Sequence, residues 1–187
     1  VIIETDRLMI RDFVTKDFDD IHVYASDPFV VKYMLWGPNS KDDTQNYLSM
    51  VTEMQKQEPR LGYEFAVVMK ENNQLIGGCG IHVCGPSQGE LGYCFNQAYW
   101  GSGFATEAAD ALLQFGFREL GLHRIYATCR PDNLGSAKVL QKIGMKYEGH
   151  IREHMRHNGK WHDSYQYSIL ENEYNDYPNN HRRCLTP

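Results

Sequence analysis

Hydrophobic and polar positions in this chain follow two periods, and the switches between them mark short strands and amphipathic helices. Residues 7–13 alternate apolar and polar side chains, which predicts a first strand. Phe18, Ile21, Tyr24 and Ala25 then fall on one helical face, with Thr15 placed to cap the helix and Asp27-Pro28 to stop it. Residues 29–39 form a loop rich in large apolar groups. Ser40 and Asp43 have the spacing of a capping box for a second helix carrying Tyr47, Val51 and Met54, which Glu58-Pro59 ends.

The middle of the chain has the period of strands. Runs at 63–69, 74–83 and 90–95 are separated by Glu71-Asn72-Asn73 and Gly85-Pro86-Ser87. An amphipathic helix runs from Phe104 to about Leu120, with Gly121 as its C-cap. A strand at 124–129 follows. Asn133 opens another helix, with Ala137, Leu140 and Ile143 inward and Gly144 closing it. Strands from Met145 to about His154 and from Trp161 to Leu170 flank Asn158-Gly159, a type I′ hairpin signal. About seven strands and four helices in mixed order predict an α+β fold with a mostly antiparallel central sheet. The expected domain spans residues 1–171, with a polar tail at 172–187.

The most informative stretch is residues 88–107. A strand there meets a glycine-interrupted turn, Trp100-Gly101-Ser102-Gly103, and a helix follows directly. Such a turn aims backbone N–H groups at one point before a helix N-terminus, which suits a phosphate. A P-loop is excluded because Gly103 is followed by Phe104-Ala105-Thr106 in place of Lys-Ser/Thr. A dinucleotide fingerprint fails because Thr106 holds the place of its third small residue.

The turn resembles the pyrophosphate loop of the GNAT superfamily of acyl-CoA N-acyltransferases, Q/R-x-x-G-x-G/A. Ala98 replaces its first residue, and Gly101 and Gly103 match its glycines. The longer run Tyr99–Ala108 is similar to the RimJ/RimL branch, as are Tyr147-Glu148-Gly149-x-x-Arg152 and Gly159-x-x-x-Asp163. Asn133-x-x-Ser136-x-x-Val139-Leu140-x-Lys142-x-Gly144 is similar to a second family motif, with Met145 in place of its usual Phe. The likeness covers roughly residues 4–171. It implies a GNAT-type α/β/α domain using acetyl-CoA, with direct transfer to an amine acceptor.

Charge and composition narrow the partners. A net charge of −5 argues against a nucleic-acid surface, and no apolar run is long enough to span a membrane. Five cysteines without paired spacing point away from a disulfide framework and toward the cytoplasm. The histidines show no HExxH pattern, so no metal site is expected. Trp161, Tyr165 and Tyr167 leave room for a homodimer.

Acyl transfer needs a held pyrophosphate, a polarised carbonyl, a neutral amine and a protonated leaving thiolate. The resemblance assigns the first to Trp100, Gly101, Ser102, Gly103, Phe104, Ala105 and Thr106. It gives the second to the backbone N–H of Phe95, freed by a bulge in the strand at 90–95. Glu90 is the candidate base, with Glu64, Glu153 and Asp163 as substitutes. Many family members carry a Tyr where this chain has Leu140, so Ser136 is the candidate for the leaving-group side, beside Asn133 on the cofactor arm. Tyr33, Trp36 and Tyr93 are candidates for the acceptor pocket. The acceptor is a peptide N-terminus or a small amine. A non-catalytic acyl-CoA sensor is the contrasting class.

Overall fold

The computed structural model describes residues 1–176. In chain order the elements are β1 (Ile2–Glu4), β2 (Leu8–Asp12), α1 (Phe18–Ala25), α2 (Lys41–Met54), β3 (Gly62–Met69), β4 (Leu75–Val83) and β5 (Gln88–Phe95). They continue with α3 (Phe104–Arg118), β6 (Arg124–Cys129), α4 (Leu134–Lys142), β7 (Lys146–His157), β8 (Lys160–Leu170) and α5 (Glu171–Asp176). The strands form one sheet in the order β1-β2-β3-β4-β5-β6-β8-β7. Every neighbouring pair is antiparallel except β5–β6.

Strand alternation sorts the side chains into two cores, one on each face of this sheet. Phe65 and Val67 of β3 join Leu112, Leu113, Leu140 and Ile143 of α3 and α4 in the larger core. Their neighbours Ala66 and Val68 point the other way, to Ile21, Tyr24, Leu48 and Val51 of α1 and α2. Leu112 and Leu113 are fully buried. Truncating either to Ala removes about 2–5 kcal/mol of stability through lost burial and the cavity left behind.

The expected α+β class and the mostly antiparallel sheet are both present. The count is eight strands and five helices among the described residues, against the expected seven and four. β1 has three residues, of which Ile3 alone is buried, too short to show a period. Its register comes from β2, where Ile3 pairs with Ile10. At the other end, α5 begins at Glu171 and runs into the stretch expected to be a polar tail from residue 172. Its Tyr174 is buried 5.3 Å from the Phe117 ring, and one apolar anchor carries no periodicity. The rest of that tail, 177–187, lies outside the described residues.

One local expectation is refined and two hold. Thr15 begins a 3₁₀ turn, and the buried Asp17 does the bonding at the start of α1. Its carboxylate accepts from the Val14 N–H at 2.9 Å and from the Arg11 guanidinium at 2.7 and 2.8 Å. The Ser40/Asp43 capping box forms as read, with reciprocal bonds of 3.1 and 2.9 Å. At the hairpin, Asn158 and Gly159 both have positive φ, 50° and 74°, as a type I′ turn demands.

Candidate active site

The functional cleft follows from a failure of strand pairing. β5 and β6 are parallel neighbours only at Gln88–Glu90 against Arg124–Tyr126. Beyond that the two strands part, and residues 91–95 and 127–129 line opposite walls of a cleft of about 1330 Å³. Asn96 N–H donates to the Ile76 carbonyl on the β4 side. Backbone groups alternate in direction along a strand, so the Phe95 N–H faces away from β4, toward the parted side. The bulge expected in this strand is absent, because β5 pairs with β4 in unbroken register from Gly89 to Phe95. Strand divergence frees the backbone in its place.

The loop after β5 is held by its own bonds. Asn96 Oδ1 accepts from the Ala98 N–H at 3.0 Å, and Trp100 Nε1–H donates to the Phe95 carbonyl at 2.8 Å. Gly101 and Gly103 have φ of 76° and 82°, the left-handed region that favours glycine. The first bond into α3 is Glu107 N–H to the Gly103 carbonyl. The N–H groups of Phe104, Ala105 and Thr106 therefore have no partner within the helix, and no side chain caps it. All three residues line the cleft, as do Trp100, Gly101 and Gly103. Ser102 does not, because its carbonyl turns outward to Arg7.

On the opposite wall Asn133 caps α4, its Oδ1 accepting from the Ser136 N–H at 3.1 Å. The Ser136 hydroxyl lies 3.0 Å from the Tyr93 hydroxyl, which reaches across from β5. Tyr93 does not join the expected acceptor pocket: strand parity turns it to the α3/α4 face, where it packs against the larger core. Burial raises its pKa, so it stays a neutral phenol able to donate or accept.

The other arm of the cleft lies on the α1/α2 face. Tyr33 and Trp36 line it with Tyr24, Tyr47 and Met50. Its floor is thinned of side chains by glycine. Gly78 and Gly80 of β4 lie beside Cys94 and Gly92 of β5 in the register, and a Cβ on Gly92 would meet nothing within 4 Å. One carboxylate lies on this floor. Glu64 of β3 sits over Gly80, where an added Cβ would come within 2.7 Å of its carboxyl group. Tyr47 O–H donates to Glu64 Oε2 at 3.3 Å, and His82 Nε2 pairs with Oε1 at 2.6 Å. That bond to Glu64 raises the His82 pKa, against an opposing effect of burial. Burial pushes the Cys94 thiol up to about 12, which leaves it a filler and no nucleophile.

Glu90 points to the same face as Glu64 but lies at the closed end, where β5 still pairs with β6. Its carboxylate accepts from Tyr126 O–H at 3.4 Å, and it does not line the cleft. Glu153 and Asp163 lie on the β7–β8 hairpin, bonded to each other through the Glu153 N–H at 2.8 Å. The floor carboxylate was legible only as one of several substitutes. Its placement depends on the glycines of β4 and β5, which the alternation of β3 cannot reveal.

A family model for an acetyltransferase (GNAT) domain matches residues 7–146. The chain belongs to the GNAT acetyltransferase family. This GNAT chain is 37% identical over 174 residues to an uncharacterized N-acetyltransferase, YnaD, of Bacillus subtilis, covering 92% of this chain and 99% of that protein. It is 27% identical over 179 residues to the [ribosomal protein uS5]-alanine N-acetyltransferase of Escherichia coli, covering 87% of each. Among solved structures, a GNAT-family acetyltransferase from Bacillus anthracis superposes with a TM-score of 0.82 at 39% identity, covering 92% of this chain and 99% of that one. The chain is accordingly an acetyl-CoA-dependent acyltransferase. Among the described residues no helix is long and apolar enough to cross a membrane, and no group of metal-binding side chains occurs.

Proposed function

We propose that this GNAT chain acetylates a primary amine that enters from the α1/α2 face, with a peptide N-terminus as the acceptor. The observation that carries the reading is a carboxylate, Glu64, held by Tyr47 and His82 over a glycine floor that leads into the β5–β6 cleft. An ammonium group docking there meets the Glu64 carboxylate. Glu64 takes its proton, and His82, with 44% of its side chain exposed, passes it to solvent. Glu64 thus replaces Glu90 as the base.

The geometry fits acetyl-CoA. Its pyrophosphate would meet the N–H groups of Gly101, Gly103, Phe104, Ala105 and Thr106, and Asn133 would flank its arm. The Phe95 N–H would face the thioester oxygen. The amine nitrogen attacks the carbonyl carbon, the C–N bond forms, and the C–S bond breaks. The thiolate collects its proton from the Ser136–Tyr93 hydroxyl pair, which together fill the role that Leu140 cannot.

The openness of the acceptor arm supports a peptide. Gly92 is exposed, and Phe29 and Trp36 line the same cleft at the surface with relative exposures of 69% and 40%, leaving an extended chain a way out. A small amine is the second reading, favoured by the aromatic walls of Tyr24, Tyr33 and Tyr47 around Glu64. A thiol-release assay with acetyl-CoA over N-terminal peptides and small amines tests both. Turnover with free peptide N-termini supports the first reading. Turnover with small amines alone replaces it with the second. Acetyl-CoA binding without turnover on any amine makes the chain a sensor and overturns both.

A further inference from the structure

Arg7 lies at the β1–β2 turn, 95 residues from the phosphate loop in sequence, and takes no part in the chemistry above. Yet its side chain bonds both that loop and the first turn of α3. Nη1–H donates to the Ser102 carbonyl at 2.9 Å, and Nε–H donates to Glu107 Oε2 at 2.7 Å. Nη2 lies 2.7 Å from the same carboxylate oxygen. The Arg7 backbone N–H donates to Glu107 Oε1 at 3.0 Å, and Thr5 O–H donates to that oxygen at 2.6 Å. The guanidinium also stacks on Phe104, 4.3 Å from the ring centroid. These bonds and the Arg7 charge hold the Glu107 carboxyl below its ordinary pKa, against burial, so it remains a charged anchor.

The consequence is in the peptide between Ser102 and Gly103. That bond is trans, since the cis bonds precede Pro38 and Pro59. In a trans peptide C=O and N–H point in opposite directions. A guanidinium that fixes the Ser102 carbonyl outward therefore fixes the Gly103 N–H inward, toward the cleft that Gly103 lines. With Gly at both 101 and 103, the loop has nothing of its own to prevent that peptide from turning over.

We propose that Arg7 is a positioning residue for pyrophosphate binding, acting through the Ser102 carbonyl and the Glu107 carboxylate. The N-terminal β1–β2 turn is thereby part of the coenzyme site. The inference rests on the loop being the coenzyme A site.

The test compares coenzyme A binding by calorimetry for the wild type, Arg7→Ala, Arg7→Lys and Lys70→Ala. Lys70 anchors the same turn, donating to Glu4 and to the Thr5 carbonyl, without touching the loop. Arg7→Ala is expected to weaken coenzyme A about tenfold, the loss of one charge-assisted hydrogen bond to an oriented group. Arg7→Lys, which keeps the charge but has no fork to span Ser102 and Glu107, is expected to recover only part of the loss. Lys70→Ala is expected to bind within twofold of the wild type. In steady-state assays with the best amine, Arg7→Ala should raise KM for acetyl-CoA with kcat within twofold. Equal coenzyme A affinity in the wild type and both Arg7 variants overturns the proposal, as does an equal loss in Lys70→Ala. A wild type that does not bind coenzyme A contradicts the site reading itself, a separate result.

Discussion

Gly80→Ala is the sharpest perturbation of the acceptor floor. The new Cβ would lie 2.7 Å from the carboxyl carbon and one oxygen of Glu64, and 2.8 Å from the other. Ordinary contacts between such atoms begin near 3.4 Å, so the carboxylate must retreat by about 0.7 Å. The obstacle is the far end of a flexible side chain and no backbone, so the sheet need not move. What is lost is position: the 2.6 Å pairing with His82 and the 3.3 Å bond from Tyr47 cannot both survive the shift. Misplacing a reacting group by about 1 Å costs on the order of a hundredfold. We therefore expect kcat/KM to fall by about 30- to 100-fold, with acetyl-CoA affinity within twofold and stability within about 1 kcal/mol, since Ala suits a strand better than Gly. The assay is thiol release at saturating acetyl-CoA, beside calorimetry and urea unfolding. Unchanged turnover with the best amine would refute the role given to Glu64.

Gly92→Ala, with open space around its Cβ, should fold normally and raise KM for the acceptor while leaving coenzyme A affinity alone, which steady-state kinetics will show. Gly103→Ala forces an L-residue to a φ of 82°, so urea unfolding should show a loss of about 1–2 kcal/mol, together with weaker coenzyme A binding by calorimetry. Ser136→Ala and Tyr93→Phe should each slow turnover about tenfold, and the double variant should fall short of their product because the hydroxyls act as a pair. The folded-state pKa of His82 is raised above 6.5, so its contact with Glu64 contributes its full stability below that pH and loses it as pH rises through the raised value. The melting-temperature gap between the wild type and His82→Gln should accordingly narrow from pH 5.5 to pH 8.5, and a gap that widens would refute the pairing.

The local signals were legible where one short segment carries its own geometry. Ser40 with Asp43, Asn158-Gly159, and the glycines at 101 and 103 each dictate a backbone conformation without help from the rest of the chain, and each appears as read. Segments that depend on a partner were not legible. β1 exists because β2 offers it a register, and α5 because Tyr174 finds Phe117. The site divides the same way. The phosphate loop is local, whereas Glu64, His82 and Tyr47 come from three elements: the register of β3 on β4 brings Glu64 to His82, and the packing of α2 on the sheet brings Tyr47. Tyr93 was visible as a residue of the right strand, but its companion Ser136 lies 43 positions away across the parted strands. Arg7 carries no motif that its place at the start of the expected strand 7–13 would not explain equally well.

The measurement that bears most directly on the account is a calorimetric titration of the wild-type chain with acetyl-CoA. The geometry of the parted β5–β6 strands and the loop at 100–106 requires saturable binding of one molecule per chain, lost or much weakened in Gly103→Ala. An absence of binding heat and of any thermal stabilisation by acetyl-CoA would contradict it.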